Sequence, residues 1–193
     1  MHRNGLKLAA VCLLAPLGAA CGASGSQSSA AAPASATGAP GAASGGAEPS
    51  SRPPDFELPT LEGKTVRLSD HLGKDVVLID FWATFCDPCL AAMPHLDALY
   101  KKHKDHGFVV FGISIDGPDS IAQVKTEVAK LGVSFPILLD QETRVVALYN
   151  PKTSAPYSVL IGKNGGIIAK KEGYTTGDSH AVDRDVEAAL AAK

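Results

Sequence analysis

This sequence contains few cysteines and has no excess of positive charge. Four of the 193 residues are cysteines, and 18 basic side chains stand against 20 acidic ones, for a net charge of −2. Proteins that bind nucleic acids carry a basic stripe or patch, and none is visible here. No internal repeat is apparent. We therefore expect no nucleic-acid partner.

Aromatic and large aliphatic side chains are absent from residues 22–54. Ala, Gly, Ser and Pro dominate this stretch, and Glu48 and Arg52 are its only charged residues. Such a segment cannot bury enough apolar surface to offset the entropy of ordering, so we expect it to be disordered. As a flexible coil it would span roughly 30 Å. Residues 21–54 are therefore predicted to be a tether.

The start of the chain lacks an apolar run long enough to cross a bilayer. Arg3 and Lys7 precede an apolar stretch at 8–17, and small residues then lead to Cys21. This order predicts a signal peptide over residues 1–20. The segment Leu-Gly-Ala-Ala-Cys that ends at Cys21 resembles a bacterial lipoprotein signal, which predicts that Cys21 is lipidated. We expect an exported lipoprotein on the periplasmic side of the cell envelope, with simple secretion as the alternative.

Two cysteines, Cys86 and Cys89, remain for the folded domain that is predicted over residues 55–193. Cys12 lies in the predicted signal peptide, and Cys21 is assigned to the lipid. A disulfide that closes so short a loop would add little stability to a domain of this size. The pair is therefore predicted to be catalytic rather than structural.

The order of apolar patterns predicts a three-layer α/β domain with a mixed central sheet. Continuous apolar runs indicate buried strands, and turn residues indicate a hairpin at each end of the domain. The expected strands are 55–58, 65–68, 76–82, 108–115, 135–139, 157–161 and 167–171. The expected helices run from the cysteines to about residue 103, and over 120–131, 143–149 and 178–192.

The two cysteines lie where a strand gives way to a helix. One helical turn would separate their Cα atoms by roughly 5–6 Å, within the range of a disulfide. Cys86 stands just before the helix, where free N–H groups and the helix dipole stabilise a thiolate. It is the predicted nucleophile, and Cys89 is the predicted resolving cysteine. Pro88 fits the first helical turn, because an N–H has no intrahelical partner there.

Residues 81–89, Phe-Trp-Ala-Thr-Phe-Cys-Asp-Pro-Cys, resemble the active-site segment of thioredoxin-fold proteins. Residues 55–193 as a whole resemble the membrane-anchored TlpA/ResA-type thiol-disulfide oxidoreductases of bacteria. This resemblance implies a thioredoxin-like fold with a βα insertion at about 135–149. It also implies disulfide-containing protein substrates, a membrane thiol-electron donor and a role in cytochrome c maturation. We expect a monomer that reduces protein disulfides without a cofactor.

The same resemblance implies a cis-proline opposite the cysteines, and Pro156 occupies that place in the sequence Ala155-Pro156-Tyr157. From the residues alone, a trans proline that opens a strand stays possible. The loop would present backbone groups to an extended segment of a partner. Ala155, Pro156 and Tyr157 are therefore predicted to bind substrate, together with Trp82 and Pro88. Trp82 is expected first to pack beside the dithiol, and core packing is an equal alternative for Tyr157.

One expected carboxylate is missing from the active-site helix. Many TlpA/ResA-like proteins have a glutamate three residues after the second cysteine, where this chain has Ala92. We therefore hypothesise that Asp80 is the proton-transfer base, buried beneath Cys89 with a raised pKa. The alternative is an aspartate at the end of a strand whose carboxylate reaches solvent.

Two other functions stay open. A peroxiredoxin-like peroxidase would need a threonine three residues before its reactive cysteine, and Ala83 stands there. A copper-handling lipoprotein would use the cysteines as soft ligands, with His180 as an unsupported distal ligand. His95, His103 and His106 are interpreted as a solvated helix surface, since no second cysteine pair completes a zinc site. No metal site is predicted.

Overall fold

A computed structural model describes residues 52–192. The predicted signal peptide, the predicted lipidation site at Cys21 and all but the last three residues of the predicted tether lie outside these residues. Within the described part, no helix combines the length and the apolar character needed to cross a membrane. Tyr149 Oη donates a hydrogen bond of 2.5 Å to the carbonyl of Pro54, so Pro54 is in contact with the domain.

The described residues form strands and α-helices in the predicted order. The strands are β1 (Glu57–Pro59), β2 (Thr65–Arg67), β3 (Val76–Trp82), β4 (Phe108–Ser114), β5 (Ile137–Leu139), β6 (Tyr157–Ile161) and β7 (Ile167–Glu172). The helices are α1 (Asp87–His103), α2 (Ile121–Leu131), α3 (Arg144–Tyr149) and α4 (Ser179–Ala191). The predicted elements are therefore confirmed, with ends that differ by a few residues.

The main sheet has five strands in the order β5-β4-β3-β6-β7. Strand β3 lies at its centre, parallel to β4 and antiparallel to β6. Strands β1 and β2 form a separate hairpin, which reaches the main sheet through a bridge between Thr60 and Leu138. The predicted mixed sheet and N-terminal hairpin are thus confirmed.

Every residue of β3 is buried, and alternate residues enter opposite halves of the core. Leu78 and Trp82 pack with α1, α2 and α4, whereas Ile79 and Phe81 pack with α3 and the N-terminal segment. The continuous apolar run of β3 therefore reflects helices or loops on both faces. The result is the predicted three-layer domain.

Gly112 of β4 is packed too closely to accept a side chain. A Cβ placed there would lie 2.7 Å from the ring of Phe135 and 2.9 Å from Ile137 Cδ1. We expect Gly112→Ala to lower the free energy of unfolding by about 1–3 kcal/mol, because the buried neighbours have to shift. Urea unfolding of the oxidised protein measures this change.

Gly117 provides the matched control for that substitution. A Cβ at this position would meet nothing within 4 Å, and its φ of −68° is open to any residue. Gly117→Ala should therefore leave the free energy of unfolding within about 0.5 kcal/mol of the parent or raise it slightly. Equal losses in the two variants would contradict the packing argument.

Candidate active site

Cys86 and Cys89 form a disulfide at the start of α1. Their Cα atoms are 5.3 Å apart, which agrees with the one-turn spacing predicted from the sequence. Cys86 is the N-cap of the helix, and its sulfur accepts a hydrogen bond of 3.3 Å from the backbone N–H of Cys89. Cys86 is 7% exposed and Cys89 is fully buried. An incoming group therefore meets the sulfur of Cys86 first.

The peptide bond between Ala155 and Pro156 is cis, as the resemblance implied. Pro156 directly precedes β6, and Tyr157 pairs with Phe81 of β3 across the sheet. This register brings the cis-proline loop to the end of β3 from which the chain continues to Cys86. Ala155 packs against the part of the core that contains both cysteines. The cis-proline loop and the dithiol therefore lie at the same end of β3.

Asn150 organises the segment that leads to the cis-proline. Its side-chain amide donates to the carbonyl and the hydroxyl of Ser154, at 3.2 Å and 3.0 Å. Its side-chain oxygen accepts a hydrogen bond of 3.1 Å from the backbone N–H of Lys152. Sequence reasoning did not select Asn150, because nothing in its neighbourhood distinguishes it from an ordinary turn residue.

Asp80 is buried in the middle of β3, with only 6% of its surface exposed. Its position between Leu78 and Trp82 along the strand places it on the same face of the sheet as α1 and α4. Burial raises the pKa of Asp80 to about 7. Burial raises the pKa of Tyr174, and the charges of Asp178, Asp183 and, least of the three, Asp80 add to this shift. The alternative in which the carboxylate reaches solvent is therefore wrong, and the predicted burial is confirmed.

The aromatic residue exposed beside the dithiol is Phe85, not Trp82. Trp82 is fully buried, so the structure contradicts its prediction as a substrate contact and supports the packing role. Phe85, immediately before Cys86, is 77% exposed. A ring so exposed next to a reactive sulfur is a ready apolar contact for a partner. Its position between a strand and the first cysteine was the available signal, and sequence reasoning missed it.

A groove of about 490 Å³ lies beside Pro88 on the exposed side of the helix start. His95 lines it, and its Nε2 donates a hydrogen bond of 2.8 Å to the carboxylate of Asp183, while its other ring nitrogen lies 3.4 Å from Tyr174 Oη. The interpretation of His95 as a solvated helix residue is therefore wrong. Its ring ties α1 to α4 and to the loop after β7.

Comparisons with known proteins agree with the fold and with the geometry of the site. The AhpC/TSA family matches residues 49–170 of the chain. The thiol-disulfide oxidoreductase ResA of Bacillus cereus is 36% identical over 123 residues, which cover 64% of this chain and 69% of that protein. This chain belongs to the AhpC/TSA family and is a ResA-like thiol-disulfide oxidoreductase. ResA of Geobacillus kaustophilus is 37% identical over 117 residues, covering 61% of this chain and 65% of that protein.

Solved structures agree with the ResA-like assignment. A Chlorobium tepidum protein designated a thiol:disulfide interchange protein DsbE is 31% identical, with a TM-score of 0.68 over 75% of this chain and 99% of that one. The predicted thioredoxin-like fold is therefore confirmed, and so is the prediction that the chain is an oxidoreductase. In this ResA-like protein the two cysteines of the Cys-x-x-Cys pair lie one helical turn apart.

Proposed function

We propose that this ResA-like enzyme is exported and reduces disulfides in protein substrates, with Cys86 as the nucleophile and Cys89 as the resolving cysteine. The difference in exposure between the two cysteine residues carries the proposal. Cys86 stands at the N-cap of α1 and is the more exposed residue, whereas Cys89 is fully buried behind it. The dipole of α1 and its free N–H groups favour a thiolate at Cys86.

The reaction begins with the reduced enzyme. The Cys86 thiolate attacks one sulfur of the substrate disulfide, that S–S bond breaks, and the departing substrate thiolate takes up a proton. Cys89 then loses its proton and attacks the Cys86 sulfur of the mixed disulfide. The second substrate thiol leaves protonated, and Cys86 and Cys89 are joined. The substrate has gained two electrons and two protons. The enzyme has lost the two electrons and the Cys89 proton, and the other proton comes from the solvent, which received it when Cys86 ionised.

Asp80 is the proposed acceptor of the Cys89 proton. A carboxylate in water is too weak a base for a thiol, and burial brings the pKa of Asp80 to about 7, much closer to that of a thiol. It lies on the face of β3 that packs against α1, the helix that carries Cys89. Proton transfer through a water would free the Cys89 thiolate when the mixed disulfide forms.

Substrate binding is proposed for the surface around the dithiol. Pro88 and Phe85 are exposed beside Cys86, and the cis-proline loop at Ala155 and Pro156 lies at the same end of β3. The ring of Tyr157 packs in the core and its hydroxyl donates to the carbonyl of Tyr149 at 3.2 Å, so only the backbone of Tyr157 is proposed to contact substrate. An extended segment could pair with the backbone before β6 while Phe85 contacts its apolar side chains. Trp82 supports this surface from below through packing.

Export with a lipid anchor at Cys21 accompanies this proposal, as does a membrane thiol-electron donor that reduces the enzyme after each cycle. The names of the curated relatives describe thiol-disulfide oxidoreductases. A role in cytochrome c maturation is the physiological setting that the resemblance implies. Each of these features is compatible with a mature domain whose two cysteines form the redox centre.

A peroxidase remains the second candidate, because the matching family includes AhpC in its name. A peroxidatic site needs a hydroxyl donor close to its cysteine, and Ala83, at the expected position, has none. The neighbouring Thr84 hydroxyl is already engaged by Asp116 at 2.6 Å. We therefore favour disulfide reduction over peroxide reduction.

The reduction potential tests the proposed direction. We expect the enzyme, equilibrated with dithiothreitol or glutathione couples, to have a potential nearer that of thioredoxin at about −270 mV than that of DsbA at about −120 mV. Insulin disulfides should be reduced catalytically in the presence of dithiothreitol, while hydrogen peroxide should be consumed no faster than by dithiothreitol alone. A potential near that of DsbA would contradict the reductase assignment, and rapid peroxide turnover would favour the peroxidase.

A further inference from the structure

The segment between β3 and α1 determines where Cys86 stands. Strand β3 ends at Trp82 and α1 begins at Asp87, so four residues turn the chain and present the sulfur. Within this turn the backbone N–H of Cys86 donates to the carbonyl of Ala83 at 3.1 Å. Cys86 is also joined to the first turn of α1, because its sulfur accepts from the N–H of Cys89 at 3.3 Å and its carbonyl accepts from the N–H of Leu90 at 3.1 Å. A further set of hydrogen bonds holds the turn from the side of β4, through Thr84.

Asp116 accepts the hydrogen bonds of Thr84. The backbone N–H of Thr84 lies 3.2 Å and 3.1 Å from the two carboxylate oxygens, and its hydroxyl donates at 2.6 Å. Ser114 Oγ donates to the same carboxylate at 2.8 Å. Asp116 is 3% exposed. A buried carboxylate of this kind is held by the donors that surround it, since an unsatisfied one would be costly.

These contacts join the ends of the two central parallel strands. Trp82 is the last residue of β3 and pairs with Ser114, the last residue of β4. The backbone N–H of Ile115 donates to the carbonyl of Trp82 at 2.9 Å, which continues the ladder up to Asp116. The turn that carries Cys86 is therefore attached to β4, a rigid central element, and not only to its own strand.

We propose that Asp116 is a positioning residue that holds the Cys86 turn in place, through Thr84, when the active-site disulfide is open. The proposal rests on the proposed role of Cys86 as the nucleophile. In the oxidised enzyme the S–S bond itself ties Cys86 to α1. Reduction removes that bond, and the hydrogen bonds from Thr84 to Asp116 then keep the thiolate at the N-terminus of the helix.

Substitutions of Thr84 test the position of the Cys86 sulfur without changing the charge around it. Thr84→Val keeps the β-branched shape and the backbone N–H but removes the hydroxyl donor, whereas Thr84→Ser keeps both donors. Neither changes the charge near the sulfur. Asp116→Asn is the complementary variant, which removes the charged acceptor and also a negative charge. The two Thr84 variants therefore carry the test, and Asp116→Asn should change the reaction rate in the same direction as Thr84→Val.

Asp97 supplies a matched control. Its buried carboxylate also accepts the backbone N–H and the hydroxyl of one residue, Ser134, at 2.6 Å and 2.7 Å. It lies in the third turn of α1, away from the cysteines along the helix. Asp97→Asn therefore removes the same kind of acceptor without touching the Cys86 turn.

The measurement is the rate at which the fully reduced protein reacts with 5,5′-dithiobis(2-nitrobenzoate) as a function of pH. We expect Thr84→Val to lower the maximal rate constant about tenfold and to shift the half-maximal pH upward, since a displaced sulfur loses the helix N-terminus. Thr84→Ser should stay within about twofold of the parent, and so should Asp97→Asn even if its melting temperature falls.

Unchanged kinetics in Thr84→Val would overturn the positioning role, and so would an equal slowing in Asp97→Asn, which would show a general effect of lost stability. If Thr84→Val does not fold, Asp116→Asn is measured in its place, with a loss of rate despite the removed negative charge as the expected result. Cys86→Ser in the same assay identifies the reacting thiol. Should Cys89 prove to react first, the proposed function fails irrespective of the Thr84 result.

Discussion

Cys89→Ser is expected to accumulate a stable mixed disulfide between Cys86 and its substrate, whereas Cys86→Ser is expected to lose insulin reduction by about 10³-fold or more. Cys86 is the N-cap of α1, where a thiolate is stabilised, and the fully buried Cys89 lies behind it. Without Cys89 the first attack still occurs, but no internal thiol can release the product.

Mass spectrometry after incubation with an excess of oxidised substrate measures this difference. The adduct on Cys89→Ser should have the mass of one enzyme joined to one substrate, and dithiothreitol should reverse it. A Cys86→Ser/Cys89→Ser double variant controls for attachment elsewhere. An adduct of comparable yield on Cys86→Ser would mean that the two cysteines have exchanged roles.

Asp80→Asn is expected to slow the second step and spare the first. An asparagine cannot accept the Cys89 proton, so release of the mixed disulfide should fall by about 10²-fold near neutral pH. Reaction of Cys86 with a small disulfide should stay within about threefold of the parent, because that step needs no proton from Cys89. Stopped-flow mixing with a fluorescent disulfide substrate separates the two phases. An unchanged second phase would remove Asp80 from the mechanism.

The same substitution should also stabilise the oxidised protein at high pH. The pKa of Asp80 is raised to about 7 by burial, so the folded state holds this proton more tightly than the unfolded state does. The parent therefore loses stability as pH rises from about 4 to about 7, by as much as about 4 kcal/mol above that range. Asp80→Asn carries no such penalty and should unfold at higher urea concentration at pH 8, with no gain at pH 4.

Asp97→Asn provides a control of opposite sign. Although burial would raise the pKa, hydrogen bonds from Lys101 and Ser134 lower the pKa of Asp97 below its usual value. This carboxylate therefore stabilises the fold at neutral pH, and the contribution disappears as pH falls through its folded pKa. Asp97→Asn should lose stability at pH 8 and lose little at pH 2. Parallel pH profiles for the two variants would contradict the assigned burial of Asp80.

The sequence predicted the order of elements and the redox centre because both depend on local patterns. The apolar run of β3 indicates burial on both faces, and a proline between the two cysteines marks the first turn of a helix. The cis state of Pro156 was implied by the resemblance and not by the residues, since most X-Pro bonds are trans. Where predicted strand ends differ, as at β5, the cause is local: Pro136 has no N–H to give to the ladder.

Contacts between distant residues could not be predicted in this way. Thr84 and Asp116 are 32 positions apart, and they meet because Trp82 pairs with Ser114. His95 and Tyr174 meet across 79 positions. A sequence pattern identifies which residue types are present, but the pairing register of β3 with β4 decides which of them touch. The burial of Trp82 likewise depends on the packing of α1 and α4 against one face of β3.

With Cys86 as the proposed attacking cysteine, its low exposure would restrict which disulfides the enzyme reduces. Only 7% of this residue is open, beside a ring of Phe85 that is 77% open. A disulfide buried in a folded protein cannot approach the sulfur of Cys86 closely enough. A disulfide in an unfolded or partly folded segment can reach this sulfur past the ring of Phe85. Reduction by the enzyme would then compete with the folding of its substrates. A protein would no longer be reduced once folding has buried its cysteines.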